Sequence, residues 1–373
     1  MQFLVRENRR LNLTETERPR ILTAAEKFLS TPTVHIPDDV ALMSEGGPHD
    51  YYSNGDYWWR NPDTQDGLPY IRRDGESNPM AFHQHRRTLR AMRTAVATLA
   101  AAYDLTQNEV YSAKAVRFLK EFFLDAETRM NPHLRYAQAL PGICSGRGIG
   151  IIDTLHLVEV PVAIDALRQS PTLTPDILAG LKAWFADYLE WMTTHPYGID
   201  EMNEVNNHGV AWTLQVALFA MLTGNREKIS FCRQRYKEVL LPEQMAQDGG
   251  FTAELARTKP YGYSIFQLDN VATLCHVLST PEENLWEFEL ADGRGVRKGI
   301  EFLFPYLEDK SKWCYPPDVQ HFEAWPVRQS ALLFAGLAYN EEKYLQLWKK
   351  LDPDPVDPEV RRNMATRQPL LWV

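Results

Sequence analysis

From residue 82 onward, apolar positions recur every three or four residues, which is the spacing of one helical face. Leu89, Met92, Val96 and Leu99 predict a helix over 82–103, and Val110, Ala113, Val116, Leu119 and Phe122 another over 108–126. The same period predicts helices over 176–194, 205–222, 226–245, 264–278, 295–306, 325–339 and 341–351, with a shorter one at 21–29. Residues 149–167 are apolar on nearly every side and read as an inner, buried helix. No alternating run is long enough for a substantial strand; TVHI (33–36) and FTAEL (251–255) are the candidates for short ones. Roughly ten or eleven helices joined by short connectors describe an all-α array of antiparallel hairpins. Such an array is expected to close into an (α/α) toroid or incomplete barrel. No composition shift marks a boundary, so one domain is expected over 1–373, with a Pro-rich tail at 352–373.

One stretch breaks the helical pattern. Residues 44–79 carry Gly, Pro, Asn, Asp and aromatics with almost no periodicity, and an irregular segment this long is usually a functional lid. It offers Tyr51, Tyr52, Tyr57, Trp58, Trp59 and Tyr70 as stacking platforms, with Arg72 and Arg73 as carboxylate grips. The competing reading is that some of these rings simply plug the top of the toroid.

Chemistry concentrates in residues 206–263. NNHG places Asn206, Asn207 and His208 at a helix start, where Asn commonly caps and where amide hydrogens and the dipole favour an anion. The string ELARTKPYGY crowds Glu254, Arg257, Tyr261 and Tyr263 onto a constrained turn that opens another helix. A Gly-rich turn adds Gln138 and Arg147. Its GRGIG lacks the Lys-Ser/Thr of a phosphate loop and follows no strand, so a nucleotide site is rejected. The histidines have no companions at metal-ligand spacing; His85 reads as structural. Asp153, Glu159, Asp165 and Glu204 are candidate glycosidase carboxylates, with nothing to single out two of them.

Composition narrows the field. Apolar residues make up 44% of 373, ample for a core, and a net charge of −9 argues against general nucleic-acid or anionic-membrane binding. Cys144, Cys232, Cys275 and Cys314 are scattered without a CxxC and read as buried free thiols in a reducing compartment. No run approaches the ~20 apolar residues of a membrane span. The N-terminus has no apolar signal core, so a cytoplasmic protein is expected, or a periplasmic or secreted one whose leader has been removed.

Together GDYWWRNPDTQDGLPYIRRDG, GRGIGIID, NNHG and ELAR followed by Tyr resemble the alginate lyase superfamily, over about residues 46–339. The likeness is nearest to polysaccharide lyase family 38, whose members cleave alginate or glucuronan, and more distant to family 5. The resemblance implies an (α/α) toroid and metal-independent β-elimination on a uronic-acid polymer or oligomer, with no metal or organic cofactor. Asn207 is then expected to neutralise the uronate carboxylate, and His208 to assist or to act as base for one epimer. Arg257 would polarise the tyrosine and bind the carboxylate. Tyr263, six residues after Arg257, would shuttle the proton, with Tyr261 as the fallback. Tyr57, Trp58, Trp59, Tyr70, Arg72, Arg73, Gln138, Arg147, Asn206, Glu254 and Tyr261 are the candidate substrate contacts. Two other readings stand beside this one: an unsaturated glucuronyl hydrolase on the same kind of toroid, and a catalytically silent oligouronide-binding protein. Oligomeric state is left open.

Overall fold

The computed structural model describes residues 10–373; residues 1–9, the first part of the stretch read above for a leader, lie outside it. The chain opens with α1 (Arg10–Ser30), longer than the segment expected at 21–29. Three short strands then punctuate the lid: β1 (Tyr52–Asn54), β2 (Trp58–Trp59) and β3 (Ile71–Arg72). α2 (Gln84–Thr106) and α3 (Glu109–Phe123) form the first hairpin, and Asn108 caps α3 by accepting the Val110 amide hydrogen. β4 (Tyr136–Ala139) pairs parallel with β1, while β2 and β3 pair antiparallel. The lid is therefore pinned by backbone ladders that carry no periodic signature.

The single helix expected over 149–167 is instead a 3-10 segment (Gly148–Val158) followed by α4 (Glu159–Ala166). The glycines before it explain the approach. A Cβ on Gly146 would sit 1.9 Å from the Arg135 carbonyl oxygen, and one on Gly150 2.6 Å from that of Ala137. GRGIG thus packs the chain flat beneath β4.

α5 (Pro175–Thr194), α6 (Pro196–Met202), α7 (Asn207–Thr223) and α8 (Arg226–Arg235) follow. A π-helical turn (Tyr236–Leu240) joins α8 to α9 (Leu241–Gln244), where one unbroken helix was expected. FTAEL is not a strand: Thr252–Leu255 form α10, and TVHI is irregular before a 3-10 turn. α11 (Pro260–Leu278) starts four residues earlier than expected, which puts Tyr261 and Tyr263 in its first turn. α12 (Val296–Glu308), α13 (Ser330–Ala338), α14 (Glu342–Lys350) and α15 (Pro358–Arg362) complete the set.

Two layers result, and burial shows why. α7 and α11 are buried around nearly their whole circumference and belong to an inner row, in which α2, α4, α7, α11 and α13 pack successively. α3, α5, α8, α12 and α14 lie outside them and bury one stripe each; α12 buries Ile300, Leu303 and Leu307 and exposes Glu301 and Glu308. This is the (α/α) toroid.

The Pro-rich tail is not a loose end. Its last 3-10 turn (Pro369–Leu371) packs on α1, α2 and α4, and Trp372 is fully buried. Glu159 anchors it, accepting from the Arg367 and Gln368 amides at 2.8 and 2.7 Å while Arg93 donates at 2.9 Å. Removing Glu159 would strand a buried guanidinium, a loss of about 3–5 kcal/mol. Of the four free cysteines only Cys232 and Cys275 are buried; Cys314 is exposed, contrary to expectation. Among the described residues no helix is long and apolar enough to cross a membrane.

Candidate active site

Asn206 caps α7, its Oδ1 accepting the His208 amide hydrogen at 2.9 Å. That frees the next two side chains for other work. Asn207 is braced by the buried Glu254, which accepts its backbone amide hydrogen at 2.7 Å and its side-chain Nδ2 at 2.9 Å. His208 is braced by Glu201, fully buried on α6, with both carboxylate oxygens 2.9 and 3.0 Å from Nδ1. Nδ1 therefore carries a proton, and Nε2 is the ring nitrogen left for the cavity. Burial favours the neutral ring, but the charge and hydrogen bond of Glu201, with Glu204 and Glu254 nearby, outweigh it and raise the His208 pKa.

α11 supplies the tyrosine. Residues two apart on a helix face different ways, so Tyr263 and Tyr261 part company. Tyr263 turns into a cavity of about 380 Å³, within the range of small-ligand pockets. Its hydroxyl receives a hydrogen bond from Arg257 Nη2 at 3.2 Å, and the Arg257 guanidinium also lies 4.3 Å over its ring. Tyr57 of the lid meets the same hydroxyl at 2.6 Å, and Arg362 donates to Tyr57 at 3.0 Å. Burial raises the Tyr263 pKa well above the ordinary phenol value and Tyr57 adds to it, while Arg257 and Arg362 oppose them. Unliganded, Tyr263 is a neutral phenol. Asp74 holds Arg257 with bonds of 2.9 and 3.3 Å, and with them its own pKa is pushed down to about 2 against the pull of burial.

The lid supplies the opposite wall, and strand alternation decides which side chains reach it. Trp58 and Arg72 are cross-strand partners on one face, and both line the cavity. Trp59 falls on the other face, where its Nε1 donates to Glu76 and Arg73 lies 5.0 Å over its ring. Gln138, held at a left-handed φ of 50°, accepts from Arg147 at 2.9 Å through its side-chain oxygen. Tyr51 and Tyr52 are buried as plugs.

Asn206, Asn207, His208, Arg257, Tyr263, Tyr57, Trp58, Arg72, Gln138 and Arg147 thus share one cavity. Five candidates do not. Trp59, Tyr70 and Arg73 are not among its lining residues, Glu254 stands behind the wall, and Tyr261 is buried in the core. The Tyr261 hydroxyl donates to the Tyr306 carbonyl at 2.8 Å, and its ring packs on Trp313, which removes it as the fallback shuttle. His85 is structural, accepting from the Tyr52 amide at 2.9 Å.

Several lining residues escaped the sequence reading: Asp56, Arg86, Arg90, His156, Arg362 and Asn363. Asp56 pairs with both Arg86 and Arg362, tying the lid to α2 and α15. Asp153 accepts from Arg86 at 2.9 Å, Ser53 at 2.6 Å, Tyr51 at 3.2 Å and Gln138 at 3.2 Å. A signal existed for α2, where Arg86, Arg90 and Arg93 recur every turn on a helix side shared with Leu89. Nothing in the tail announced Arg362.

The family model of alginate lyases matches residues 36–313. No curated protein sequence matches the chain. Among solved structures, an alginate lyase from Bacteroides ovatus is 32% identical, superposes with a TM-score of 0.85, and is matched over 99% of this chain and 98% of its own. Alginate lyase A1-III from Sphingomonas species A1 is 15% identical over 94% of both chains, with a TM-score of 0.57, a likeness of fold. With three quarters of its length matched by the family model and that degree of identity throughout, this chain belongs to the alginate lyase family and is a polysaccharide lyase.

Proposed function

We propose that the chain cleaves alginate by β-elimination, with Tyr263 moving the proton and Asn207, His208 and Arg257 neutralising the uronate carboxylate. The observation that carries this reading is the convergence on Tyr263: Arg257 at 3.2 Å and Tyr57 at 2.6 Å from its hydroxyl, on a wall shared with Asn207 and His208. The Bacteroides ovatus relative, an alginate lyase at 32% identity, supports the choice of polymer.

The chemistry needs these parts. The C5 hydrogen beside the carboxylate is weakly acidic until that charge is neutralised, and donors already held in place on one cavity wall can do so with little reorganisation. Tyr263 must lack its own proton to take the one from C5. It and Tyr57 share a short hydrogen bond between Arg257 and Arg362, so the two phenols together can carry one negative charge between two guanidiniums. The tyrosinate then removes the C5 proton, the electron pair becomes the C4=C5 bond, and the C4–O4 bond breaks. The departing oxygen takes the proton from Tyr263, leaving an unsaturated uronate at the new end.

A hydrolase would need a carboxyl free to protonate a glycosidic oxygen. Asp153 is engaged by four donors, and Glu204 accepts from Asn206 at 3.1 Å. The test is to incubate the enzyme with alginate, its mannuronate-rich and guluronate-rich fractions and glucuronan, and to follow the ultraviolet absorbance of the conjugated alkene. Growth of that band on alginate is expected. A flat trace on every polymer sinks the reading.

A further inference from the structure

Arg86, Arg90 and Arg93 recur one turn apart on α2, yet their surroundings differ. Arg86 pairs with Asp56 and Asp153, and Arg93 pairs with Glu159. Arg90, between them, has no carboxylate partner among the described residues; its side chain's one hydrogen bond there runs from Nε to the Arg86 carbonyl at 3.1 Å. Its terminal nitrogens make no hydrogen bond to the described residues, and it lines the cavity floor with Leu155, His156 and Asn363. The other cavity guanidiniums are engaged: Arg72 and Arg257 by Asp74, Arg362 by Asp56 and Glu359, Arg147 by the two oxygens of Gln138.

An unpaired guanidinium in such a place is a liability to the empty protein. Burial first, then the like charges of Arg86 and Arg362, pull its pKa down to about 10. His156 offers no relief, since burial and Arg93 hold its ring neutral. A cation kept where it weakens the fold is what a ligand site costs.

We propose that Arg90 anchors a second carboxylate subsite, which takes the carboxylate of a neighbouring uronate while the sugar to be cleaved lies on Asn207, His208 and Arg257. The inference rests on the uronate lyase reading. A uronate chain carries one carboxylate per sugar, so a site filled by such a chain must meet more than one. The bracing carboxylates on Arg72, Arg86, Arg257 and Arg362 fix those side chains in the empty protein, whereas Arg90 gains its counterion with the substrate.

The experiment measures binding of alginate oligosaccharides of two to six sugars by calorimetry in the Tyr263→Phe background, with and without Arg90→Met or Arg90→Lys, together with thermal unfolding of each free protein. Losing a charged hydrogen bond to a carboxylate weakens binding by about tenfold to a hundredfold, so Arg90→Met is expected to lose that much on the longer oligosaccharides. Arg90→Lys recovers part of it, and the Tm of free Arg90→Met stays level or rises because a repelled charge is gone. Undiminished affinity in Arg90→Met overturns the subsite. So does an affinity loss accompanied by a matching fall in Tm, which marks a structural arginine. Failure of the lyase reading looks different: Tyr263→Phe itself then binds no oligosaccharide, and the enzyme with Tyr263 intact gives no alkene.

Discussion

The catalytic wall and the floor of the cavity treat charge in opposite ways. On the wall the three groups assigned to the uronate carboxylate each have a carboxylate behind them: Glu254 behind Asn207, Glu201 behind His208, Asp74 behind Arg257. On the floor Arg90 has none among the described residues. Bracing fixes direction before substrate arrives, so donors need not reorganise as charge develops on the uronate. An unbraced cation fixes less and keeps its charge for the ligand. On the proposed mechanism the two regions would divide the labour, one orienting the reaction and the other holding the chain.

Breaking the wall should cost most at its centre. Tyr263→Phe removes the proposed proton carrier and is expected to lower kcat by about a thousandfold or more with little change in KM, read from the alkene band. Residual activity near that of the unaltered enzyme would move the role elsewhere. Glu254→Gln leaves Asn207 in place but sets an amide group against one of its two donors. A loss of kcat of about tenfold, below the roughly hundredfold for deleting an oxyanion donor outright, should exceed any rise in KM. A fall in Tm with unaltered kcat would make Glu254 merely structural.

The mildest change sharpens the comparison most. In the proposed mechanism the reactive form needs Tyr263 without its proton and His208 with one. Because the Tyr263 pKa lies above that of His208, kcat/KM should rise with pH up to the His208 pKa, level off, and fall beyond the Tyr263 pKa. Glu201→Gln deletes the charge that raises the His208 pKa against burial, so the acid limb should move to lower pH while the alkaline limb stays. An unmoved acid limb would show that Glu201 does not set the protonation of His208.

The helical pattern made much of the fold legible because inner helices such as α7 are apolar on nearly every side, and that composition has few other uses. The lid was visible as an absence of period, but its strands were not, since β1–β4 and β2–β3 are two- to four-residue ladders with no room for alternation to show. The 3-10 segment at Gly148–Val158 was read as helix for a related reason. Its apolar residues suit either geometry, and close contact with β4 decides between them.

Within the site, Asn207, His208, Arg257 and Tyr263 could be named from the chain because two short motifs hold them within 57 positions. The sequence by itself determined the residue types, the toroid and the likeness to uronate lyases. Tertiary structure placed Tyr263 in the cavity wall and Tyr261 in the core, although the chain keeps them two residues apart. It also brought Arg362 from the tail to Tyr57 of the lid, 305 positions away. It left Arg90 unpaired while pairing its neighbours on the same helix. Spacing along a chain encodes which face a residue takes, but not which distant carboxylate, if any, waits on the other side.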